Sequence, residues 1–314
     1  MLERKKIIPL VLLSLSALSL SAFGQVPDHE KFLKAPSDEP QPGWKKGGQF
    51  TINLAQNSLT NWSAGGQNSL AVNGLLSLHA NYGKGKSRWD SSLDLGYGLL
   101  KDGSYTGFRK TEDKIDFLSK YGWKAFDSFY FAGLVNFKTQ MKPGYDYINE
   151  STQKRISAFF APAYLQAALG FDYKPVPHLS AFMAPLSAKF TFVLDKEFSE
   201  AGAFGVEPGQ ALKSEMGGYL RLSYSRSDFK SDILKSVSLT TKLDLFSNYL
   251  DHPEDVDVSW ETLIGLKVNK LLSVNLNTHL IYDADTLFPA ADGSGDVAKV
   301  QFKEIFGAGL ALTF

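Results

Sequence analysis

Few residues in this 314-residue sequence have catalytic potential. It contains five histidines, His29, His79, His178, His252 and His279, and no cysteine. Without cysteine there is no disulfide scaffold, no thiolate-bound zinc or iron–sulfur cluster and no thiol nucleophile. No two histidines stand at i, i+2 or i, i+4, and neither HExxH nor GxSxG occurs. A zinc hydrolase therefore has no ligand set. A lipase exposed to the bilayer needs an outward His within reach of a Ser. His79 and His279 instead fall on the inward, polar side of the segments described below. Two segments are acidic: DHPEDVD carries Asp251, Glu254, Asp255 and Asp257, and ADGSGD carries Asp292 and Asp296. Calcium favours such oxygen-rich runs, but the ordered EF-hand spacing is missing, so both read as solvated loops. No catalytic residue, metal or cofactor is expected.

The overall balance narrows the function classes. Lys and Arg total 33, as do Asp and Glu, so the net charge is zero. A nucleic-acid binder would carry a basic excess. A hydrophobic content of 44% against 21% charged residues excludes wholesale disorder.

The elements that would position these residues follow a period of two. Over Leu272–Asp285, Leu272, Val274, Leu276, Thr278, Leu280 and Tyr282 alternate with Ser273, Asn275, Asn277, His279, Ile281, Asp283 and Asp285. The segments Arg88–Leu99 and Ser236–Tyr249 repeat the pattern, which is that of a two-faced strand. Charges stand near mid-strand on the polar faces. The inward cations are Lys114, Lys120, Lys138, Lys189, Arg221, Lys242, Lys267 and Lys303. The inward anions are Asp90, Asp94, Asp116, Asp172, Asp195, Asp244, Glu261, Asp283 and Asp285. Aromatic residues (Phe50, Tyr82, Trp89, Trp123, Phe129, Tyr173, Trp260, Tyr282) sit toward the ends of the apolar faces, as interface girdles would. Pro162 and Pro185 fall inside strands and predict bulges or bends.

These features predict an all-β, transmembrane antiparallel barrel. Strands are expected near Gln49, Ser69, Arg88, Lys114, Phe129, Ala158, Leu179, Met216, Ser236, Val256, Leu272 and Val300, an even set. Short turns (Lys84–Ser87, Lys124–Asp127, Lys174–His178, Asn269–Lys270) alternate with longer loops, the asymmetry of periplasmic turns and external loops. Ahead of the barrel, Arg4, Lys5 and Lys6 precede an apolar stretch and Ala22-Phe23-Gly24, so residues 1–24 read as a signal peptide. Residues 25–46 read as a flexible periplasmic leader and 47–314 as the barrel. The chain closes on Phe314, a terminal aromatic on an alternating strand, expected to serve as its assembly signal.

NWSAGG (Asn61–Gly66, with Trp62, Gly65 and Gly66), the Trp89-Asp90 pair, KTEDKIDF (Lys110–Phe117), FFAPAYL (Phe159–Leu165) and APLSAKFTFVLD (Ala184–Asp195) carry a resemblance over Trp44–Phe314. Together the stretches resemble a Bacteroidota outer-membrane β-barrel family of unknown function, the domain of unknown function 3078 type. The resemblance implies location and fold and transfers no catalytic residue. NWSAGG itself reads as a tight loop with an interface anchor, or as a stacking platform for sugar or lipid.

The expected function is a narrow, polar-lined channel or binding barrel for a small solute. The alternatives are a non-conducting accessory barrel acting through its loops and, third, a lipid-modifying enzyme. The expected partners are outer-membrane lipid, lipopolysaccharide and the barrel-assembly machinery, with the chain a monomer that binds no nucleic acid. Near-balanced inward charges predict pairing across a narrow lumen, because an unpaired buried charge is costly. Lys242, on a strand between those of Arg221 and Glu261, is expected to help Arg221 close the path.

Overall fold

The computed structural model describes residues 42–60, 67–103, 107–147, 152–269, 271–290 and 295–314. The expected signal peptide (1–24), residues 25–41 of the leader and the whole NWSAGG loop (Asn61–Gly66) lie outside the described residues.

Alternation of apolar and polar residues gives each strand one face for lipid and one for the interior. The first five are β1 (Gly43–Asn57), β2 (Ser69–Lys84), β3 (Ser87–Asp102), β4 (Arg109–Phe126) and β5 (Phe129–Thr139). A small hairpin follows, β6 (Gly144–Tyr147) and β7 (Gln153–Ser157). Next come β8 (Ala163–Val176), β9 (Leu179–Phe192), a short helix α1 (Lys196–Glu200), and β10 (Leu212–Arg226), β11 (Val237–Asn248), β12 (Val256–Lys267) and β13 (Leu272–Tyr282). A second hairpin, β14 (Leu287–Pro289) and β15 (Asp296–Ala298), precedes β16 (Gln301–Thr313).

Twelve of these strands close into an antiparallel barrel in which chain neighbours pair and β16 returns to β1. Closure gives every barrel strand a neighbour on both sides, the arrangement by which strands satisfy their backbone groups across a bilayer. The expected number of strands is found. β1 opens at Gly43, inside the 25–46 leader segment. β4 begins at Arg109 rather than near Lys114, and β8 at Ala163 rather than near Ala158. That last delay has a local cause: Ala158 and Ala161 exchange backbone hydrogen bonds at 2.8 and 3.0 Å, holding Phe159 and Phe160 in a tight turn. Pro162 lies in this turn and not within a strand. Pro185 does mark a bulge in β9, where the register shifts against both β8 and β10. Beside it, Gly170 of β8 lies so close to β9 that a Cβ there would stand 2.0 Å from the Met183 carbonyl oxygen.

The outer wall is apolar and ends in an aromatic band on the turn side. Trp44 packs on Tyr82 and Trp89, Phe129 stacks on Tyr173 and Phe131 meets Phe171. Trp260 and Phe50 depart from this band. Both sit mid-wall, Trp260 opposite Leu243 and Leu280, and its Nε1–H donates to Thr241 Oγ1 at 2.8 Å. A satisfied indole donor can stay in lipid, where an unsatisfied one would be costly. At the terminus, Phe314 exchanges two backbone hydrogen bonds with Gly48. A Cβ on Gly48 would stand 2.8 Å from the Phe314 ring, so this glycine makes the seat for that ring.

Candidate functional site

The interior divides into a packed wall and an ionic belt. Ala132, Leu134, Ala168, Phe182, Ala184, Tyr219 and Phe246 turn inward from β5, β8, β9, β10 and β11 and form a continuous apolar cluster. Facing them, paired strands place charges in register. Asp94 and Asp116 stand opposite each other on β3 and β4, and Asp116 faces Lys138 on β5. On the far wall Lys242, Glu261, His279 and Lys303 occupy successive register positions on β11, β12, β13 and β16. Adjacent carboxylates repel one another. Lysines reaching across the lumen offset that repulsion.

Two ion pairs cross the barrel between diametrically opposed strands. Lys114 Nζ of β4 donates to both oxygens of Glu261 on β12, at 2.8 and 3.0 Å. Lys242 Nζ of β11 donates to Asp94 Oδ2 on β3 at 3.4 Å. A circular ring of twelve strands tilted about 40° and spaced about 4.8 Å would be about 24 Å across. Extended Lys and Glu side chains joined by a hydrogen bond span only about 14 Å between Cα atoms. The ring is therefore flattened at this level, and the two ties close its short axis. Lys303 of β16 adds a third crossing to Glu112 of β4 at 2.8 Å.

The remaining expected lumen residues group around these ties. Lys138 lies 3.7 Å from Asp244, which also takes Arg221 at 3.2 Å and the Tyr219 hydroxyl at 2.6 Å. Arg221 is thus held along its own wall, and Lys242 does not share its partner. Lys189 joins Asp257 at 2.5 Å, with Glu215 at 3.6 Å and Asp283 at 3.7 Å. Lys120 pairs with Asp172, and Lys174 with Asp90. Lys267 has no carboxylate partner among the described residues. Asp195 corrects the inward list: it follows β9, caps α1 and pairs with Arg155 of the external hairpin. Conversely Lys174, Glu112, Glu215, Lys213 and Asp257 are inward charges that sequence reasoning missed. Lys174 was hidden in an expected turn, KPVPH, but β8 runs on to Val176. Asp257 reads from sequence as part of the acidic loop, but it lies at the start of β12, next to Val256, and pairs with Lys189, which splits that cluster. Among the described residues no group of His, Asp and Glu is arranged to hold a metal.

Above the belt, at the loop end, lies a cavity of about 330 Å3. Asn136, Lys138, Gln166, Lys189, Asp244 and His279 line it, with Tyr164, Phe246 and Ile281 as apolar walls. Phe204 comes from the β9–β10 connection, which forms a small core of its own from Val193, Phe198 and Val206 with Ala158 and Ala161. Gln166 brings a buried Nε2 that no group among the described residues accepts. Ser259 and His279 Nε2 are 3.0 Å apart on its floor. Glu261, the carboxylate next to His279, directs both oxygens at Lys114, so no acid–base triad is assembled. A second cavity, about 240 Å3, is bordered by both ties, His79 and Lys303.

The family model described as "Protein of unknown function (DUF3078)" matches residues 54–145. That span contains NWSAGG, Trp89-Asp90 and KTEDKIDF, three of the stretches carrying the resemblance, whereas FFAPAYL and APLSAKFTFVLD lie beyond it. No curated protein sequence matches the chain. Among solved structures, the translocator domain of the autotransporter NalP from Neisseria meningitidis is 9% identical with a TM-score of 0.40, covering 88% of this chain and 90% of that one. An outer-membrane channel from Pseudomonas putida F1 is 8% identical with a TM-score of 0.40, covering 93% and 100%. OmpT of Vibrio cholerae is 9% identical with a TM-score of 0.31, covering 86% and 97%.

Proposed function

We propose that this outer-membrane-type barrel takes a small polar solute into its loop-side cavity and passes it only when the ties beneath part. The observation that carries this reading is the cavity itself: about 330 Å3, mixed in charge, and holding an amide donor at Gln166 that no group among the described residues accepts. A buried donor without a partner is costly until a ligand or water accepts from it. The mixed sign of the lining disfavours selection of a single ion class. In this reading residues 1–24 direct export, the barrel-assembly machinery reads Phe314, and lipid and lipopolysaccharide surround a monomer.

Uptake of labelled polar solutes of increasing size by liposomes containing the purified protein tests the proposal. Slow passage of the smallest solutes is the expected result, with binding of the same solutes detectable by calorimetry. The absence of both uptake and binding would overturn it. The two ties favour a second reading, a non-conducting accessory barrel, which binding without uptake would support. Turnover of labelled phospholipid or lipopolysaccharide would replace both readings by the lipid-modifying enzyme.

A further inference from the structure

The seam that closes the barrel is shorter than the strands that form it. β1 pairs with β2 over all fifteen of its residues, whereas its ladder with β16 covers only Gln49–Asn53 against Gly309–Thr313, extended by the Gly48–Phe314 bonds. β16 continues to Gln301, paired with β13 on its other edge. Residues 54–57 of β1 and 301–308 of β16 thus share no ladder.

Exposure follows the same division. Thr51 and Asn53, inward within the ladder, are both 4% exposed. Beyond it Leu54, Ala55, Gln56 and Asn57 are all exposed in succession, as are Phe302, Lys303 and Glu304 opposite. A strand within a closed wall would hide every second residue. At the fork, Asn53 carries a buried Oδ1 without a hydrogen-bond partner among the described residues. A Cβ on Gly309 would stand 2.5 Å from that oxygen, and one on Gly307 3.1 Å from Asn53 Cβ, so Gly307 and Gly309 let the side chain fill the point where the strands part.

The height of the fork is also informative. A strand tilted about 40° climbs about 2.5 Å per residue, so an apolar band about 25 Å tall takes about ten residues. Counted up from Trp44 in the turn-side aromatic band, ten residues reach Leu54. The fork therefore stands toward the outer leaflet, and Phe302, paired with Leu280 and through it level with Trp260, borders the opening from the lipid-facing wall. Phe302 and Phe306 flank the opening on the lipid side. Lys303, whose side chain is 43% exposed, stands on its lumen side, whereas the other lumen-crossing lysines are less exposed.

We propose that the loop-side part of the β1–β16 seam is a lateral opening through which an anionic amphiphile of the outer leaflet places its headgroup in the lumen beside Lys303, leaving its acyl chain in lipid against Phe302 and Phe306. A photoreactive residue in place of Ile305, inward on β16, tests this in phosphatidylethanolamine/phosphatidylglycerol vesicles with labelled acyl chains. Thr240, inward on β11, provides the comparison site. At least five-fold more lipid adduct at position 305 than at 240 is expected, and Lys303→Gln should lower it several-fold. Equal yields at the two positions, or a yield indifferent to Lys303→Gln, would overturn the proposal. Geometry is tested separately, and the absence of native cysteine makes introduced pairs unambiguous. Continued in register, the ladder would set Asn57 opposite Ile305. Disulfide formation requires Cα atoms within about 7 Å. Oxidation should therefore link Thr51→Cys to Ala311→Cys and fail between Asn57→Cys and Ile305→Cys. Efficient linkage of the second pair would show a closed seam and end the proposal.

Discussion

Replacing Lys114, Glu261, Lys242 and Asp94 together by alanine removes both diametric ties and leaves the net charge unchanged. Removing one partner alone would strand a buried charge at a cost of about 3–5 kcal/mol, so the pairs are removed whole. The tied walls stand about 14 Å apart at Cα, and two alanine methyl surfaces occupy about 7 Å of that. About 7 Å then remains, more than two water diameters at about 2.8 Å each. Planar-bilayer recordings are expected to show steps several-fold larger than those of the unmutated protein, with ion preference unchanged. Lys114→Ala with Lys242→Ala alone leaves Glu261 and Asp94 facing the cleared space and should shift preference toward cations. Unaltered conductance from a quadruple variant that still runs as a folded, heat-modifiable gel band would refute the assignment of these ties as the closure.

Three further outcomes follow from the wall and the loops. Deleting Phe314 removes its two bonds to Gly48 and its ring contact, so surface assembly measured by fractionation should fall well below that of Thr313→Ala, which keeps the backbone seam; equal assembly would count against a closing role for Phe314. Gly170→Ala drives a methyl into the β9 backbone and should cost about 1–3 kcal/mol, lowering the temperature of the gel shift, whereas Gly74→Ala, with 3.8 Å to its nearest neighbour, should leave it in place. The Arg155 hydrogen bond holds the Asp195 carboxyl below its ordinary range, so the contribution of this pair is present above the ordinary carboxylate pKa and is lost as pH falls through the lowered value. Proteolysis of the β6–β7 hairpin should accordingly accelerate only at strongly acidic pH in the unmutated protein, and already at neutral pH in Asp195→Asn.

The strands and their faces were legible because side-chain direction in a strand depends only on parity. The alternation of Leu272–Asp285 reads residue by residue, although β13 itself stops at Tyr282. What parity does not contain is height along the barrel or the strand across the lumen. Hence Lys242 reads as a companion of Arg221 and Glu261 on the adjacent strands, although its partner Asp94 lies half a ring away. Boundaries were the second blind spot. Pro175 in KPVPH reads as a turn, yet it is absorbed in the register shift between Tyr173 and Val176 at the end of β8, which carries Lys174 inside. Asp195 failed for the opposite reason: alternation was carried past Phe192, where the chain had already left the wall.

The ties across the lumen also bear on how the chain reaches its native state. Lys114 and Glu261 are separated by 147 residues, Lys242 and Asp94 by 148, and Lys303 and Glu112 by 191. Each hairpin can zip from its own turn at little entropic cost, whereas contacts of this span wait for long loops to close. Until β11, β12 and β16 arrive, the first half of the sheet presents Asp94, Glu112 and Lys114 without their distant partners. Such a half-sheet stays hydrated on that face and cannot settle alone into a bilayer. The same charges that narrow the finished tube are thus satisfied only once the carboxy-terminal strands are in place.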